Sequence, residues 1–385
     1  IKKMHHPFGF CIFYLVVSKK RYTFVKNKCY MSKVTYLLGA GASYGQLVNN
    51  VRGTGVPIVC EFSDAIQQML NNIKNGADHT AKHNTAKRDL TEQQYDDLIE
   101  DLSVLLTASQ QSITLDHYAK QLLLLHESNA QYGQDNGDVY RHLKRLLSVF
   151  LLMVQYENGY DKRYEWFLSE IMDVNNTLPE LTVLSWNYDA QFELAYAQYA
   201  EKGRYILQLW DAINVYNKTC NTNYNPDAPF ALVKLNGTAF FLDHHRETKE
   251  FKAHYIVPDP FNGGSRDYYQ NIHTFLTDFY QETTLSYAWE HDSLQPTIDV
   301  VRHRVLDTEE LVIIGYSLPR FNAIVDAEIL RAMPNLKRVV IQDKEDVCKQ
   351  IESKIKQVLW TKNLQFEYVT NLNGGFYVPY LLGTN

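Results

Sequence analysis

Short apolar runs alternate with longer stretches of helical periodicity from Met31 to the end of this 385-residue chain. Apolar runs of this kind are typical of strands that are buried on both faces, and the stretches between them are typical of helical crossover connections. The alternation therefore predicts an α/β protein with a mostly parallel sheet that is covered by helices. The predicted strands are residues 34–38, 181–185, 230–235, 254–257, 311–314, 338–342 and 365–369.

Residues 61–175 interrupt this alternation, because they contain almost nothing with strand character. Apolar residues recur there at spacings of three and four, which predicts amphipathic helices. The clearest helical patterns cover residues 95–107, 113–127 and 139–156. The polar, turn-rich stretches 75–88 and 132–137 are expected to be exposed loops. We therefore predict a helical insertion within one domain that spans residues 31–385.

The first thirty residues are treated apart from this domain. The apolar run 7–17 is too short to span a bilayer, and no small-residue cleavage site of a signal peptide follows it. Residue 1 is Ile, and MSKVTYLLGAG leads from Met31 directly into the first strand. We therefore expect residues 1–30 to be an extension outside the native chain, and we expect a cytoplasmic protein without a membrane segment.

Charge and cysteine content exclude several classes of protein. The formal net charge of −6 is spread along the chain, without the basic clusters of a nucleic-acid-binding protein. The five cysteines lie far apart without a C-x-x-C pair, so neither a zinc ribbon nor a disulfide framework is expected. The neighbouring His244 and His245 have no carboxylate or cysteine at ligand spacing, and a solvated turn is expected there. Direct binding of nucleic acid and a metal site are both disfavoured.

The first informative motif is the glycine-rich turn GAGASYG, residues 39–45, directly after the first strand. Such a turn, when it feeds a helix, places backbone N–H groups and the positive end of the helix dipole where a phosphate can sit. Gly39 would permit the tight turn, and Gly41 would allow a pyrophosphate to approach the backbone. A tight connection without a ligand is the alternative. The third glycine falls one place late for the dehydrogenase fingerprint, so hydride transfer is not expected.

Polar residues also follow three other predicted strands. Asn187 and Asp189 come directly after the strand LTVLS, Asn236 follows VKL, and Gly315 and Ser317 follow LVII. Ligands in open α/β sheets bind outside the carboxyl ends of the strands, so these residues are expected at a binding site. In the alternative reading, Asn187 caps the next helix and Asp189 favours its first turn. Residues of these types also form ordinary turns, so each motif alone is a weak signal.

Taken together, LLGAGASYG, SWNYDAQFE, VKLNG and IIGYSLPRFNAIVD resemble, in order and spacing, the motifs of the sirtuin-like family, and in particular its bacterial branch associated with antiphage defence. The resemblance spans Met31 to the C-terminus and implies a Rossmann-like domain that binds NAD. It also implies that the segment 187–189 lies beside the nicotinamide and its ribose. The implied cofactor contacts are Gly39, Ala40, Gly41, Ala42 and Ser43 at the pyrophosphate, Pro57 in a covering loop, Gly315 and Ser317 near the cofactor, and Gln342 and Asp343 on the adenosine side.

Departures from the family pattern bear on the reaction. The family's His-Gly pair appears here as Asn236-Gly237, and an amide cannot replace histidine as a base because it has no accessible pKa. The zinc ribbon of the deacylases is absent from the sequence, as is their Asp-Phe-Arg sequence near Pro57. The missing histidine and the absent zinc ribbon weigh against protein deacylation and leave hydrolysis of the nicotinamide–ribose bond as the expected activity. Asn187 would orient water or the ribose, Asp189 would hold the carboxamide, and Asn236 would bind a ribose hydroxyl.

The resemblance further implies an antiphage effector that depletes NAD when it is activated. Control would come from homo-oligomerisation or from a separately encoded partner, such as an ATPase translocase, an Argonaute-like protein or a nucleotide-sensing protein. The helical insertion would either contact that partner or only cover the site. Two other classes of function stay open. One is a silent module that senses NAD or a derivative such as a cyclic ADP-ribose, which Asn236 favours, and the other is a scaffold that binds no nucleotide.

Overall fold

The computed structural model describes most of the chain as separate stretches. These are residues 14–18, 21–25, 33–45, 47–48, 51–52, 54–76, 86–128, 136–199, 206–219, 223–243, 252–254, 268–278, 281–287 and 289–382. His244, His245 and residues 255–257, for which sequence-based predictions were made, lie outside them.

Strands and helices alternate along most of the described chain. The strands are β1 (Tyr14–Ser18), β2 (Arg21–Val25), β3 (Val34–Leu38), β4 (Leu47–Val48), β5 (Val51–Arg52), β6 (Leu181–Ser185), β7 (Val215–Tyr216), β8 (Phe230–Lys234), β9 (Gly237–Asp243), β10 (Lys252–His254), β11 (Gln281–Leu285), β12 (Glu310–Ile314), β13 (Arg338–Gln342) and β14 (Gln365–Val369). The helices are α1 (Phe62–Asn75), α2 (Ala86–Asp89), α3 (Glu92–Gln111), α4 (Leu115–Ser128), α5 (Asn136–Asn158), α6 (Lys162–Ile171), α7 (Gln191–Tyr196), α8 (Ile206–Ala212), α9 (Tyr268–Thr277), α10 (His291–Arg304), α11 (Ala323–Arg331) and α12 (Glu345–Val358).

A parallel sheet forms the centre of the fold. Within the described residues its order is β14-β13-β12-β3-β6-β8-β7, and every neighbouring pair is parallel. Its side chains alternate between two cores. Tyr36 and Leu38 pack with the helices of residues 62–171, whereas Leu37 packs with α10, α11 and α12. Because both faces are covered, the central strands read as continuous apolar runs. The predicted α/β, Rossmann-like fold is confirmed.

The sequence missed some of the strands. The two-residue strand β7 was not predicted, and β8 ends one residue earlier than expected. The predicted strand 254–257 overlaps the described residues only at His254, which ends β10. This strand lies outside the parallel sheet, in a separate antiparallel sheet of order β10-β9-β11. A short apolar run does not reveal which sheet it joins, because that depends on distant pairing partners.

The helical insertion is present as α1 to α6, and no strand lies among the described residues between β5 and β6. Its central helix, α5, is buried over residues 146–154 and contacts α3, α4, α9 and β9. Residues 86–88 and 136–137, which were expected to be loop, begin α2 and α5 instead. The remainder of the two predicted loops lies mostly outside the described stretches. In the part of the chain that the structure covers, no helix is long and apolar enough to cross a membrane.

Several helix ends follow from local sequence. The Thr91 hydroxyl accepts the Gln94 N–H at 3.3 Å, and the Gln94 side chain accepts the Thr91 N–H at 3.0 Å, which forms a capping box before α3. Asp161 caps α6 by accepting the Arg163 N–H at 2.9 Å. Gly76 ends α1 in the left-handed conformation. Within residues 1–30, β1 and β2 pair with each other in an antiparallel hairpin.

Candidate functional site

A cavity of about 290 Å³ lies where four parallel strands end. In the sheet, β6 and β8 follow on one side of β3, whereas β12, which comes later in the chain, pairs with the other side of β3. The ends of β3 and β12 therefore form the topological switch point of the sheet. The lining residues at the four strand ends are Gly39 and Ala40 after β3, Asn187 after β6, Asn236 after β8, and Gly315 after β12. The volume is near the lower limit of ligand pockets, which is roughly 300 Å³.

One side of the cavity, which we call the loop wall, consists of residues 39–43 and 315–317. Its two turns pack backbone against backbone: the Gly39 N–H donates to the Ile314 carbonyl at 3.1 Å, and the Gly41 N–H donates to the Gly315 carbonyl at 2.9 Å. A Cβ atom at Gly315 would lie 2.4 Å from the Ala42 nitrogen, and one at Gly41 would lie 2.7 Å from the Gly315 Cα. Contact between the two turns therefore requires these glycines, whether or not a ligand binds.

The glycine-rich turn does not feed an α-helix, and this prediction was wrong. A three-residue 3₁₀ helix, Ala40–Ala42, follows β3, and the next α-helix begins only at Phe62. The Ala42 N–H donates to Gly39 and the Ser43 N–H to Ala40. Together with the two bonds between the turns, these bonds occupy the N–H groups of Gly39, Gly41, Ala42 and Ser43. The N–H of Ala40, which lines the cavity, has no acceptor among the described residues.

A buried ion pair from the helical insertion supports the loop wall. The Arg163 guanidinium donates to the Asp161 carboxylate, with Nε 2.9 Å from Oδ2, and also to the Gly41 carbonyl at 2.9 Å. The same carboxylate accepts the Gly45 N–H at 2.8 Å. Both charged groups are buried, and each has several hydrogen-bond partners, as buried charges require. The sequence did not suggest this support, because residues 161–163 are far from the turn along the chain.

The opposite side of the cavity, which we call the amide wall, consists of residues 186–189 and 236. Asn187 is buried, and its Nδ2 donates to the Gly39 carbonyl and to the Ser43 Oγ, both at 2.9 Å. The alternative that Asn187 caps the next helix was wrong, because Ala190 is the N-cap of α7. The Asn187 amide instead joins the amide wall to the loop wall.

Asp189 lies both at the cavity and at the start of the next helix, and its contact with a carboxamide remains a prediction. It lines the cavity, and its Oδ1 also accepts the N–H of Gln191, the first residue of α7, at 3.1 Å. Burial raises the pKa of this carboxyl, while Lys234 and a hydrogen bond from Ser43 act in the opposite direction. The buried Lys234 ammonium lies 3.5 Å from Glu193 Oε1 and donates to the Asp189 carbonyl. Lys234 is the last residue of the otherwise apolar strand β8. A charged residue at the end of a buried strand could have been predicted from the sequence as part of the site.

Asn236 has unused hydrogen-bonding capacity at the cavity. Its Nδ2 donates to the Trp186 carbonyl at 3.0 Å, which fixes the orientation of the amide. Its Oδ1 is buried and has no hydrogen-bond partner in the described part of the chain. An unpaired buried acceptor costs about 1–3 kcal/mol, so a ligand hydroxyl that donated to it would relieve this cost. Asn236 lines the cavity, and contact of its oxygen with a ribose hydroxyl remains a prediction.

Aromatic rings and a carboxyl group lie behind the second turn of the loop wall. Trp186 stacks on Tyr316, with ring centroids 5.8 Å apart and an interplanar angle of 20°. The Tyr316 hydroxyl donates to Asp326, and both carboxyl oxygens lie 3.0 Å from it. Burial raises the pKa of Asp326 to about 8. The exposed Ser317 and the buried Pro57 both line the cavity, and their contact with a cofactor remains a prediction.

The structure does not bring Gln342 and Asp343 into this cavity. The Gln342 amide holds the C-terminal segment, because it donates to the Gly375 carbonyl at 2.9 Å and accepts the Tyr377 N–H at 2.8 Å. Asp343 accepts the N–H of the next residue, Lys344, at 2.7 Å. Contact of either residue with an adenosine remains a prediction. Gly41 and Ala42 also lie behind the cavity surface rather than on it.

Sequence reasoning missed the contribution of the helical insertion to this site. Phe62, Thr114, Asp116 and Leu151 all belong to the insertion and line the cavity. Tyr188 lies between Asn187 and Asp189, and its hydroxyl donates to Asp116 Oδ1 at 3.1 Å. The insertion therefore covers the site, which was one of its two predicted roles, while contact with a partner remains a prediction. Thr114, at the start of the predicted helix 113–127, could have indicated that Asp116 lies at a helix end. Nothing in the sequence indicated that this helix end lies beside the sheet.

Comparison with models of known protein families and with curated proteins gave no match to this chain.

Proposed function

We propose that this protein is an NAD hydrolase that cleaves the bond between nicotinamide and ribose. The observation that carries this proposal is that Asn187 and Asn236, from neighbouring strand ends, line one cavity together with the glycine turns at Gly39 and Gly315. In open α/β sheets, the switch point is the usual place for a nucleotide. The sequence resemblance to the sirtuin-like family supports NAD as that nucleotide.

The amide wall supplies the groups that would hold the ribose. The Oδ1 atom of Asn236 would accept a hydrogen bond from a ribose hydroxyl, since this buried oxygen has no partner among the described residues. Both donor hydrogens of Asn187 are directed to Gly39 and Ser43, so its Oδ1 remains to orient water or a second hydroxyl. Asp189 would hold the carboxamide of nicotinamide, as the resemblance implies. These are positioning tasks, which suit a reaction with a good leaving group.

The loop wall would contact the phosphates less extensively than a phosphate-binding loop does. Five of its N–H groups, four in the first turn and that of Gly315 in the second, already have acceptors. The N–H groups of Ala40, Tyr316 and Ser317 have none among the described residues, so these would donate to a phosphate oxygen. The enclosed volume is small for a dinucleotide, so we place the nicotinamide riboside end inside it. The remainder of NAD would extend past Pro57 and Ser317. Following the resemblance, we propose that the enzyme depletes NAD in antiphage defence, under the control of oligomerisation or of a partner protein.

Asn236 favours one alternative, a module that binds NAD or a related nucleotide without turnover. The carboxamide has no accessible pKa and cannot accept a proton, so binding without hydrolysis would be its natural outcome. The experiment below separates this alternative from the hydrolase.

The test is nicotinamide release from NAD by the full chain, measured beside NAD binding by calorimetry. The Asn187→Ala variant should lose release at least 100-fold, because the amide that orients the reacting groups is removed. Asn335→Ala is the matched control, since this exposed asparagine also donates to a backbone carbonyl, that of Leu306, but lies outside the cavity. The control should retain full release.

Other outcomes would select a different function. Full activity in Asn187→Ala would reject the assigned site. Binding by the wild type without release, alone or in the presence of a candidate partner, would favour the sensing module. No binding at all would favour a scaffold without a nucleotide ligand.

A further inference from the structure

The helical insertion places one carboxyl group at the cavity surface, that of Asp116. This residue is the second of α4, and its position is fixed by the helix start: the His117 N–H donates to the Thr114 hydroxyl at 3.1 Å. Thr114 lines the same cavity. The carboxyl group is therefore held on a rigid helix end rather than on a loop, and it faces the cavity that Asn187 and Asn236 also line.

Tyr188 connects Asp116 to the amide wall. Its hydroxyl donates to Asp116 Oδ1 at 3.1 Å, and its carbonyl accepts the Ala239 N–H at 2.7 Å, which fixes the tyrosine backbone. Oδ2 of Asp116 has no hydrogen-bond partner among the residues that the structure describes, and the side chain keeps partial contact with solvent. One oxygen is thus oriented by Tyr188, and the other is available to a molecule in the cavity.

The surroundings of Asp116 suit a proton acceptor near neutral pH. Burial raises its pKa to about 6, although the hydrogen bond from Tyr188 and the charge of His117 act to lower it. The phenols of Tyr140, Tyr188, Tyr287 and Tyr316 also face it, and burial raises the pKa of each above its usual range. Two other carboxyl groups lie nearby: Asp189 lines the same cavity, and Glu290 raises the pKa values of Tyr188 and Tyr287.

We propose that Asp116 is the general base of this site, and this assignment rests on the proposed hydrolase function. The bond between C1′ of the ribose and the nicotinamide nitrogen breaks, and its electron pair leaves with nicotinamide. The oxygen of a water molecule forms the new bond to C1′. One proton of that water passes to the Asp116 carboxylate and then to solvent, so NAD⁺ and water yield nicotinamide, ADP-ribose and a proton.

This assignment supplies what the two asparagines of the amide wall lack, while Asp189 in the same wall already accepts the Gln191 N–H. Neither Asn187 nor Asn236 can accept a proton, whereas a carboxylate with a pKa just below neutral can. Tyr188 is then a positioning residue, because it acts through Asp116. The catalytic group would come from the helical insertion and the ribose-binding groups from the sheet, so the reaction would depend on how the insertion sits over the strand ends.

The experiment is the pH dependence of nicotinamide release by the full chain between pH 5 and pH 8. In the wild type, kcat should fall below about pH 6 as Asp116 is protonated. Asp116→Asn should lower kcat about 10²- to 10⁴-fold, change KM less than about threefold and abolish the acidic limb. His117→Gln should keep an acidic limb, because the limb belongs to the carboxyl group, but should shift it to higher pH, because the His117 charge lowers the Asp116 pKa.

Tyr188→Phe provides a second readout if Asp116→Asn fails to fold. The hydrogen bond from Tyr188 lowers the Asp116 pKa, so its loss in this variant should raise that pKa and shift the acidic limb to higher pH. A limb that stays in place in Tyr188→Phe, or an Asp116→Asn variant with near wild-type kcat and an unchanged limb, would overturn the assignment and leave the hydrolase proposal standing. A wild type that binds NAD and releases no nicotinamide at any pH would overturn both.

Discussion

The two walls of the cavity use their hydrogen-bonding groups differently. In the loop wall, the N–H groups of Gly39, Gly41, Ala42 and Ser43 all donate to carbonyls of the protein itself. In the amide wall, the Oδ1 of Asn236 stays unpaired among the described residues although it is buried. Glycines shape the first wall through close backbone contact, and asparagine side chains line the second. The glycine-rich motif is therefore chiefly a packing feature here, and the polar motifs are the better indicators of chemistry.

The largest effect should come from breaking the close contact within the loop wall. Gly315 has a φ of 58°, and a Cβ atom there would lie 2.4 Å from backbone atoms of Gly41 and Ala42. Gly315→Ala should lower the free energy of unfolding by about 3–5 kcal/mol, because strain and a backbone clash act together. Gly76→Ala is the matched control: its φ is 64°, but open space surrounds it, so a loss of about 1 kcal/mol is expected. Equal losses in urea denaturation would contradict the described packing.

An intermediate effect should appear in the pH dependence of stability. The pKa of Asp326, behind Tyr316, is raised to about 8, whereas an unfolded aspartate has a pKa of about 3.9. Between these values the folded protein holds a proton that the unfolded chain releases, so the free energy of unfolding falls as pH rises from about 4 to about 8. Asp326→Asn should remove this decline, by roughly 2–3 kcal/mol between pH 5 and pH 7.

Thermal or urea denaturation at several pH values measures this effect. Asp299→Asn is the control, because Asp299 is exposed and lies outside the cavity. The prediction fails if the free energy of unfolding of the wild type rises with pH and Asp326→Asn shows the same slope. The Asp326 carboxyl group behind the loop wall would then not be protonated in the folded protein.

The smallest change in stability is expected in the amide wall. Asn236→Ala removes one hydrogen bond, to the Trp186 carbonyl, but also removes a buried oxygen without a partner, so the unfolding free energy should change by no more than about 1 kcal/mol. NAD affinity should fall about tenfold, because one hydrogen bond to the ribose is lost. Asn217→Ala provides the contrast: this buried amide bonds Thr238 and Thr219, so its loss should cost stability and spare NAD affinity.

Calorimetric titration and denaturation of the same preparations would decide between these expectations. Strong destabilisation of Asn236→Ala with unchanged affinity would mean that the amide is structural. The amide wall would then resemble the loop wall, and the contrast between them would be lost.

The sequence alone determined the parallel sheet, the helical insertion and the strand ends that carry polar residues. Buried parallel strands require continuous apolar runs, and the polar residues after them stand out by contrast, so Asn187, Asp189 and Asn236 could be named in advance. These are local properties of the chain. Because parallel strands end at one edge, naming the strands was enough to bring these residues to one cavity.

Only the tertiary structure decided which residues meet them there. Asp116, the Arg163–Asp161 pair and Lys234 depend on contacts between segments far apart along the chain, and helical periodicity does not encode where a helix end comes to rest. The role of each polar group was also undetermined, since Gln342 is occupied by the C-terminal segment while Asn236 keeps an unpaired oxygen. Residue type gives hydrogen-bonding capacity, but packing decides which part of that capacity the fold itself uses.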